Sequence, residues 1–206
     1  ARLAEPMLWL FHADADRAVQ GATDALDRFP DLFAQHRLDG LRAKLGLFTR
    51  EDDDEALIND LLGWMKQHDA DFTNTFRSLT AGRLAGDPGG RAGCAAPENR
   101  QASGEAPRRT CDEEWDAWHR RWQARRTRQP QPAAEAALLM RQHNPAVIPR
   151  NHNVEAALAA ATTRTDFSVM ERLLEVLATP YDHDRDLPMY TEPDRGGGPY
   201  RTFCGT

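Results

Sequence analysis

Two prolines four residues apart, Pro145 and Pro149, separate two stretches of helical composition, LLMRQH at 138–143 and NVEAALAAAT at 153–162. Each ring fixes φ near about −65° and removes a backbone donor, and each pushes the preceding residue, Asn144 or Ile148, toward extended backbone. The chain therefore cannot run as one helix from Leu138 to Ala161. It turns instead at a rigid corner, Asn144 to His152, where His143, Asn144, Arg150, Asn151 and His152 crowd together. A generic helical connection needs fewer specific side chains.

The rest of the chain is read outward from that joint. Leu3, Met7, Leu8, Leu10 and Phe11 are dense enough for a buried helix or helix end. Asp14 or Asp16 can cap a helix through Ala18, Val19, Ala22, Leu26 and Phe29. Pro30 is expected to open a new helix, where a missing donor matters little, and that helix carries Leu32, Phe33, Leu38, Leu41 and Leu45. Gly46 can close it. Thr49 and Asp52 have capping-box spacing, and the acidic run Glu51 to Glu55 suits the positive end of a helix. That helix presents Leu57, Leu61, Trp64 and Met65. Asp71 can cap the next one, with Phe72, Phe76 and Leu79 on one side.

Residues 81–111 change character. They are rich in Gly, Ala, Pro and Arg and hold a single large apolar residue, Leu84, so they read as a flexible insertion between helices. From 112 to 128 Trp115, Trp118 and Trp122 share one helical face, and Arg120, Arg121, Arg125 and Arg126 are assigned to the opposite one. Ala133 to Gln142 reads as a short helix. Asn151 or Asn153 is expected to cap the helix after the corner, and Asp166 the one bearing Phe167, Met170, Leu173, Leu174 and Leu177. Residues 180–206 form an irregular tail. No period-2 run suits a strand. The fold class expected is all-α: one irregular multi-helix domain over 1–206, with an insertion and an extended tail.

Composition narrows the function. A net charge of −6 gives no global attraction to nucleic acid. No run of apolar residues is long enough to span a membrane, and Arg2, Glu5 and His12 interrupt any signal-peptide core. Three cysteines at irregular spacing make neither a disulfide framework nor a zinc ribbon, which fits a reducing, cytoplasmic setting. Ala1 is not an initiator Met, and the sequence is expected to be a fragment or truncated product.

Each polar constellation has two readings. The Trp/Arg helix could stack on single-stranded nucleic acid, but Asp112, Glu113, Glu114 and Asp116 would repel phosphate, and a core-facing Trp stripe is preferred. His143, His152 and His183, with Asp182 and Asp184, lack tight metal-ligand spacing, so no metal site is assigned. Arg150 and Asn151, beside His152 at a helix start, could hold an anion, or Arg150 could pair with a carboxylate of another helix and lock the corner. Cys204 stands near the end as an accessible thiol and a redox candidate. No glycine-rich loop follows a strand, so no catalytic residue is assigned.

The corner, read as Asn144, Pro145, Ile148, Arg150, Asn151, Glu155 and Ala157, resembles a segment of the selenoprotein O family, also called YdiU-like proteins. Residues 44–79, 167–182 and the terminal YRTFCGT resemble the same family in the same order. The resemblance implies the C-terminal helical part of a protein-kinase-like (pseudokinase) fold. Members of the family transfer AMP from ATP, with magnesium, to Ser, Thr or Tyr hydroxyls of proteins, using residues in an N-terminal part. The family's catalytic residues therefore have no counterparts here, and the chain is expected to be inactive alone and to need neither ATP nor Mg. Its expected partner is the missing N-terminal kinase-like portion, with protein substrates for the whole enzyme and neither nucleic acid nor membrane. Cys204 matches the position that holds selenocysteine or cysteine in the family. The alternative is an independent helical protein-interaction module without catalysis.

Overall fold

Thirty residues from Ala15 contain only scattered helix-weakening side chains, and the computed structural model holds them in one helix, α1 (Ala15–Lys44). The structure describes residues 7–82 and 111–194. Asp14 caps α1 by accepting the Arg17 N–H at 3.1 Å. Pro30 lies inside the helix, so the break expected there does not occur. The ring takes away one donor, and no glycine or capping side chain immediately precedes it; the turns on both sides propagate cooperatively past the defect. Gly46 ends α1 as expected. At φ +71 it lets its own N–H reach Ala43 O at 3.1 Å and the Leu47 N–H reach Arg42 O at 2.9 Å.

Seven more helices follow among the described residues, and no strand: α2 (Asp54–Gln67), α3 (Phe72–Thr80), α4 (Cys111–Thr127), α5 (Ala133–His143), α6 (Asn151–Arg164), α7 (Ser168–Leu177) and the single turn α8 (Pro188–Thr191). The all-α expectation holds. The described residues divide into two compact units, one within 1–41 and one within 42–206.

In the first unit a short 3-10 turn, Leu8–Leu10, precedes α1. The buried helix expected around it is not found: Met7, Trp9, Leu10 and Phe11 are all exposed. Leu3 lies outside the described residues. Phe11 packs over the bare Cα of Gly21, where an added Cβ would meet the ring at 3.3 Å.

In the second unit α2 packs on α4, α3 on α5 and α6 on α7. The core holds Leu57, Ile58 and Leu61 of α2, Phe76 and Leu79 of α3, and Met140 of α5. Ala157 and Ala160 are the buried positions of α6, and Leu173 and Val176 those of α7; small side chains on one helix let the larger ones of its neighbour close in. Phe167 and Leu174, assigned to the inner face of α7, are exposed, and Val176 takes the inner position. Asp71 caps α3 through the Asn74 N–H at 2.7 Å. Asp166 takes the Ser168 N–H at 3.0 Å, one residue ahead of the α7 N-cap.

Two expected caps are absent. The N-cap of α2 is Asp53, without a side-chain bond, and the Thr49/Asp52 box does not form, because Thr49 faces Arg125 instead. The N-cap of α6 is Arg150. Neither Asn151 nor Asn153 caps that helix, since the extended backbone set by the proline corner reaches one residue further and leaves them inside the first turn. Of the insertion at 81–111 only Ala81, Gly82 and Cys111 are described, and Cys111 already begins α4. Cys111 is disulfide-bonded, although the cysteine spacing suggests no disulfide framework.

Candidate functional site

The Trp stripe of α4 is buried. Trp118 Nε1 donates to Leu57 O at 2.8 Å and Trp122 Nε1 to Leu45 O at 2.9 Å, and the Trp118 and Trp122 rings stack with centroids 5.9 Å apart. These indoles face the core and present no stacking platform to a nucleic acid. Arg126 lies over the Trp122 ring at 4.9 Å, and Arg121 pairs with Asp60 in solvent at 2.8 Å. Arg125 overturns the sequence reading. The sequence places it on the face opposite the tryptophans, yet its side chain is only 2% exposed.

Arg125 is buried because it serves Asp54, which is fully buried at the first position of α2. Arg125 Nε donates to Asp54 Oδ1 at 2.6 Å and Nη2 to Oδ2 at 3.3 Å. Arg42, from the last turn of α1, donates its Nε to Asp54 Oδ2 at 2.8 Å, and the Glu51 N–H reaches the same oxygen at 3.0 Å. Nη2 of Arg125 also donates to Thr49 O at 2.8 Å, while Nη1 lies 3.0 Å from Glu51 Oε1, off the hydrogen-bond line. Burial pushes the Asp54 carboxyl up, but the hydrogen bonds from Arg125, the Glu51 amide and Arg42 outweigh it and hold the group below the usual carboxylate range. Four residues beyond Arg125, the buried Gln129 amide donates to Gly46 O at 2.8 Å and accepts the Phe48 N–H at 3.1 Å. The end of α4 thereby holds the whole connection from α1 to α2.

A signal for this cage was present in the sequence. Asp54 sits at helical spacing before Leu57, Ile58 and Leu61, and Arg125 sits three residues after Trp122. Each charge occupies an apolar stripe, the two stripes face each other, and the signs are opposite. Burial of both stripes obliges the charges to pair.

The proline corner forms a second polar cluster. Asn144 is fully buried: its Nδ2 donates to Lys44 O at 2.9 Å and to Thr80 Oγ1 at 2.8 Å, and its carbonyl accepts from His183 Nε2 at 2.8 Å. Lys44 Nζ donates to His143 O at 2.7 Å beneath the Phe76 ring, and burial pushes its pKa down. Ala146 N–H reaches Pro180 O at 2.7 Å, so the tail packs on the corner from its first residue. Arg150 grips Asp71 through both terminal nitrogens, at 2.5 and 3.0 Å, and donates to Thr191 O at 3.0 Å. Its Nε has no partner among the described residues. Burial pushes Asp71 up, and the Arg150 bonds, the Asn74 amide and the Arg150 and Arg77 charges bring it below its ordinary value.

Sequence-stated candidates thus separate. Arg150 binds a carboxylate of this chain, whereas the exposed Asn151 and the half-buried His152 do not join that clamp. His143 bonds Leu139 O in its own helix, and Asp184 pairs with Arg141. No group of three His, Cys, Asp or Glu side chains that could hold a metal occurs among the described residues. Cys204 lies outside the described residues. Among the described residues no helix is long and apolar enough to cross a membrane.

The order of these elements and the corner motif can be set against known proteins. The family described as protein adenylyltransferase SelO matches residues 1–178. The chain belongs to the SelO family. It is similar to proteins named protein nucleotidyltransferase YdiU from Syntrophotalea carbinolica, at 46% identity over 206 residues, and from Brevibacillus brevis, at 44% over 207. A third, from Geobacillus kaustophilus, is 44% identical over 207 residues. All of this chain is covered in each case, but only 38%, 38% and 39% of those relatives. This SelO-family chain therefore spans well under half the length of the curated relatives it matches.

Proposed function

We propose that this chain is the C-terminal helical portion of a SelO-family protein nucleotidyltransferase, and that the whole enzyme transfers AMP from ATP to Ser, Thr or Tyr hydroxyls of proteins. The portion described here supplies scaffold, and alone it transfers nothing. One observation carries this reading: among the described residues two enclosed carboxylates are each closed by arginines of this chain. Asp54 lies between Arg125 and Arg42, and Asp71 is held by Arg150. A nucleotide's phosphates and its magnesium need cations and carboxylates that are free to receive them. With Asp54 and Asp71 so engaged, neither is put forward to hold ATP or Mg. The rest of the full-length chain is the partner, the cytoplasm the setting, and Cys204 a redox handle at the end of the tail.

The test is to incubate the 206-residue chain, and separately the full-length protein, with isotopically labelled ATP and Mg²⁺ beside a hydroxyl-rich acceptor protein. Intact mass and label are then read. AMP on the acceptor with the full-length protein alone is the expected result. Gain of AMP by the chain itself, or by the acceptor in its presence, refutes the scaffold reading.

A further inference from the structure

Half of the large apolar side chains that stand exposed among the described residues fall between Met7 and Phe33. Leu10 is 78% exposed, Trp9 77%, Leu26 69%, Phe29 62% and Phe33 57%, with Val19 at 50%. The others are scattered over the second unit. In the first unit they are ordered. At about 100° per residue, the apolar positions of α1 from Val19 to Phe33 fall within an arc of roughly 140°. Gln20, Asp24, Asp27, Arg28 and Asp31 occupy the opposite arc. Phe29 and Phe33 already stack on each other, with centroids 5.9 Å apart. A helix this amphipathic, with its apolar side in water, has the surface of an interface.

We propose that this face of α1, with the Trp9–Leu10 turn, is where the remainder of the full-length SelO-family chain docks on this portion. The proposal rests on the reading above that the chain is part of a longer enzyme. Three observations favour this occupant. The apolar arc is far wider than the narrow seam of positions a and d that a helix dimer uses, and it suits insertion into a folded core. The polar arc is acidic: between Ala15 and Phe33, Asp16, Asp24, Asp27 and Asp31 face only Arg17 and Arg28. Anionic lipid repels such a surface, whereas membrane-lying helices carry Lys and Arg there. The matched relatives carry more than half of their length outside the region this chain covers, so a large complement is present in the same polypeptide.

The test is hydroxyl-radical footprinting of the full-length protein and of the 206-residue chain, read at Trp9, Phe29 and Phe33. Met189, 72% exposed on the second unit, serves as an internal reference. Modification of the three aromatics about tenfold slower in the full-length protein than in the chain, relative to Met189, is expected. Equal rates in the two overturn the proposal. So does a dimer of the chain by light scattering that Phe29→Glu dissolves, since the occupant is then a second copy. Should Phe29→Glu prevent folding, cross-linking mass spectrometry on the unaltered full-length protein decides. Links from Arg28 or Asp31 to residues N-terminal of this chain support docking, and links confined to the chain itself refute it. A full-length protein that transfers AMP while its aromatics stay unprotected sinks the docking surface and spares the proposed function. One that protects them and transfers nothing does the reverse.

Discussion

Replacing Asp54 by Asn removes one negative charge from the centre of the second unit and changes almost nothing in volume. The carboxylate accepts four hydrogen bonds in the native protein: two from Arg125, one from Arg42 and one from the Glu51 amide. After the change a guanidinium only 2% exposed, and a second only 12% exposed, lose their shared counter-charge. Breaking a buried pair by removing one partner costs about 3–5 kcal/mol. Domains typically hold about 5–15 kcal/mol, so the variant should remain measurable in mild conditions. The assay is urea unfolding followed by the fluorescence of the α4 tryptophans, which lie beside the cage. The pH dependence adds a second reading. Asp54 has a folded pKa below its unfolded value of about 3.9, so its stabilisation is present above that value and fades as pH falls through the folded pKa. The stability gap between wild type and Asp54→Asn should therefore narrow below about pH 4, where the unfolded carboxyl takes up a proton while the native one is still held charged. A triple change, Asp54→Leu with Arg125→Met and Arg42→Met, should recover at least half the loss, because apolar groups of similar size can replace a buried ion cluster. A loss of less than about 1 kcal/mol, or a gap of constant size from pH 7 to pH 3, refutes the assignment of a charged cage.

Three further outcomes follow from the geometry. Gly46→Ala should cost about 2 kcal/mol in the same urea assay, since φ is +71 and the new Cβ would lie 3.1 Å from Ala136 O and Met140. Arg150→Lys keeps the charge but loses the two-pronged grip on Asp71, so amide exchange at residues 188–192 should speed by about tenfold with little change in α2; uniform acceleration across both would point to global destabilisation instead. Arg121→Ala should move stability by less than about 0.5 kcal/mol, because its pair with Asp60 is more than half exposed on both sides.

Local features could be read directly from the chain. Helical period, the caps at Asp14 and Asp71, the left-handed stop at Gly46 and the burial of Trp115, Trp118 and Trp122 depend on neighbours within about one or two turns, and all were legible. The corner was also legible as a rigid joint, because proline restricts its own backbone whatever surrounds it. Tertiary structure decided which partner each polar group takes. Arg125 and Asp54 are 71 residues apart and Arg150 and Asp71 are 79 apart, distances over which spacing rules say nothing. The same competition explains the errors. Thr49 and Asn153 had capping geometry within reach, yet a buried guanidinium claims Thr49, and Asn153 donates to Met189 O at 3.2 Å in the tail. Pro30 had a helix start within reach, and the turns on both sides override it. A local signal offers an alternative worth about 1 kcal/mol, whereas an unpaired buried charge costs several, so wherever the two disagreed the long-range partner prevailed.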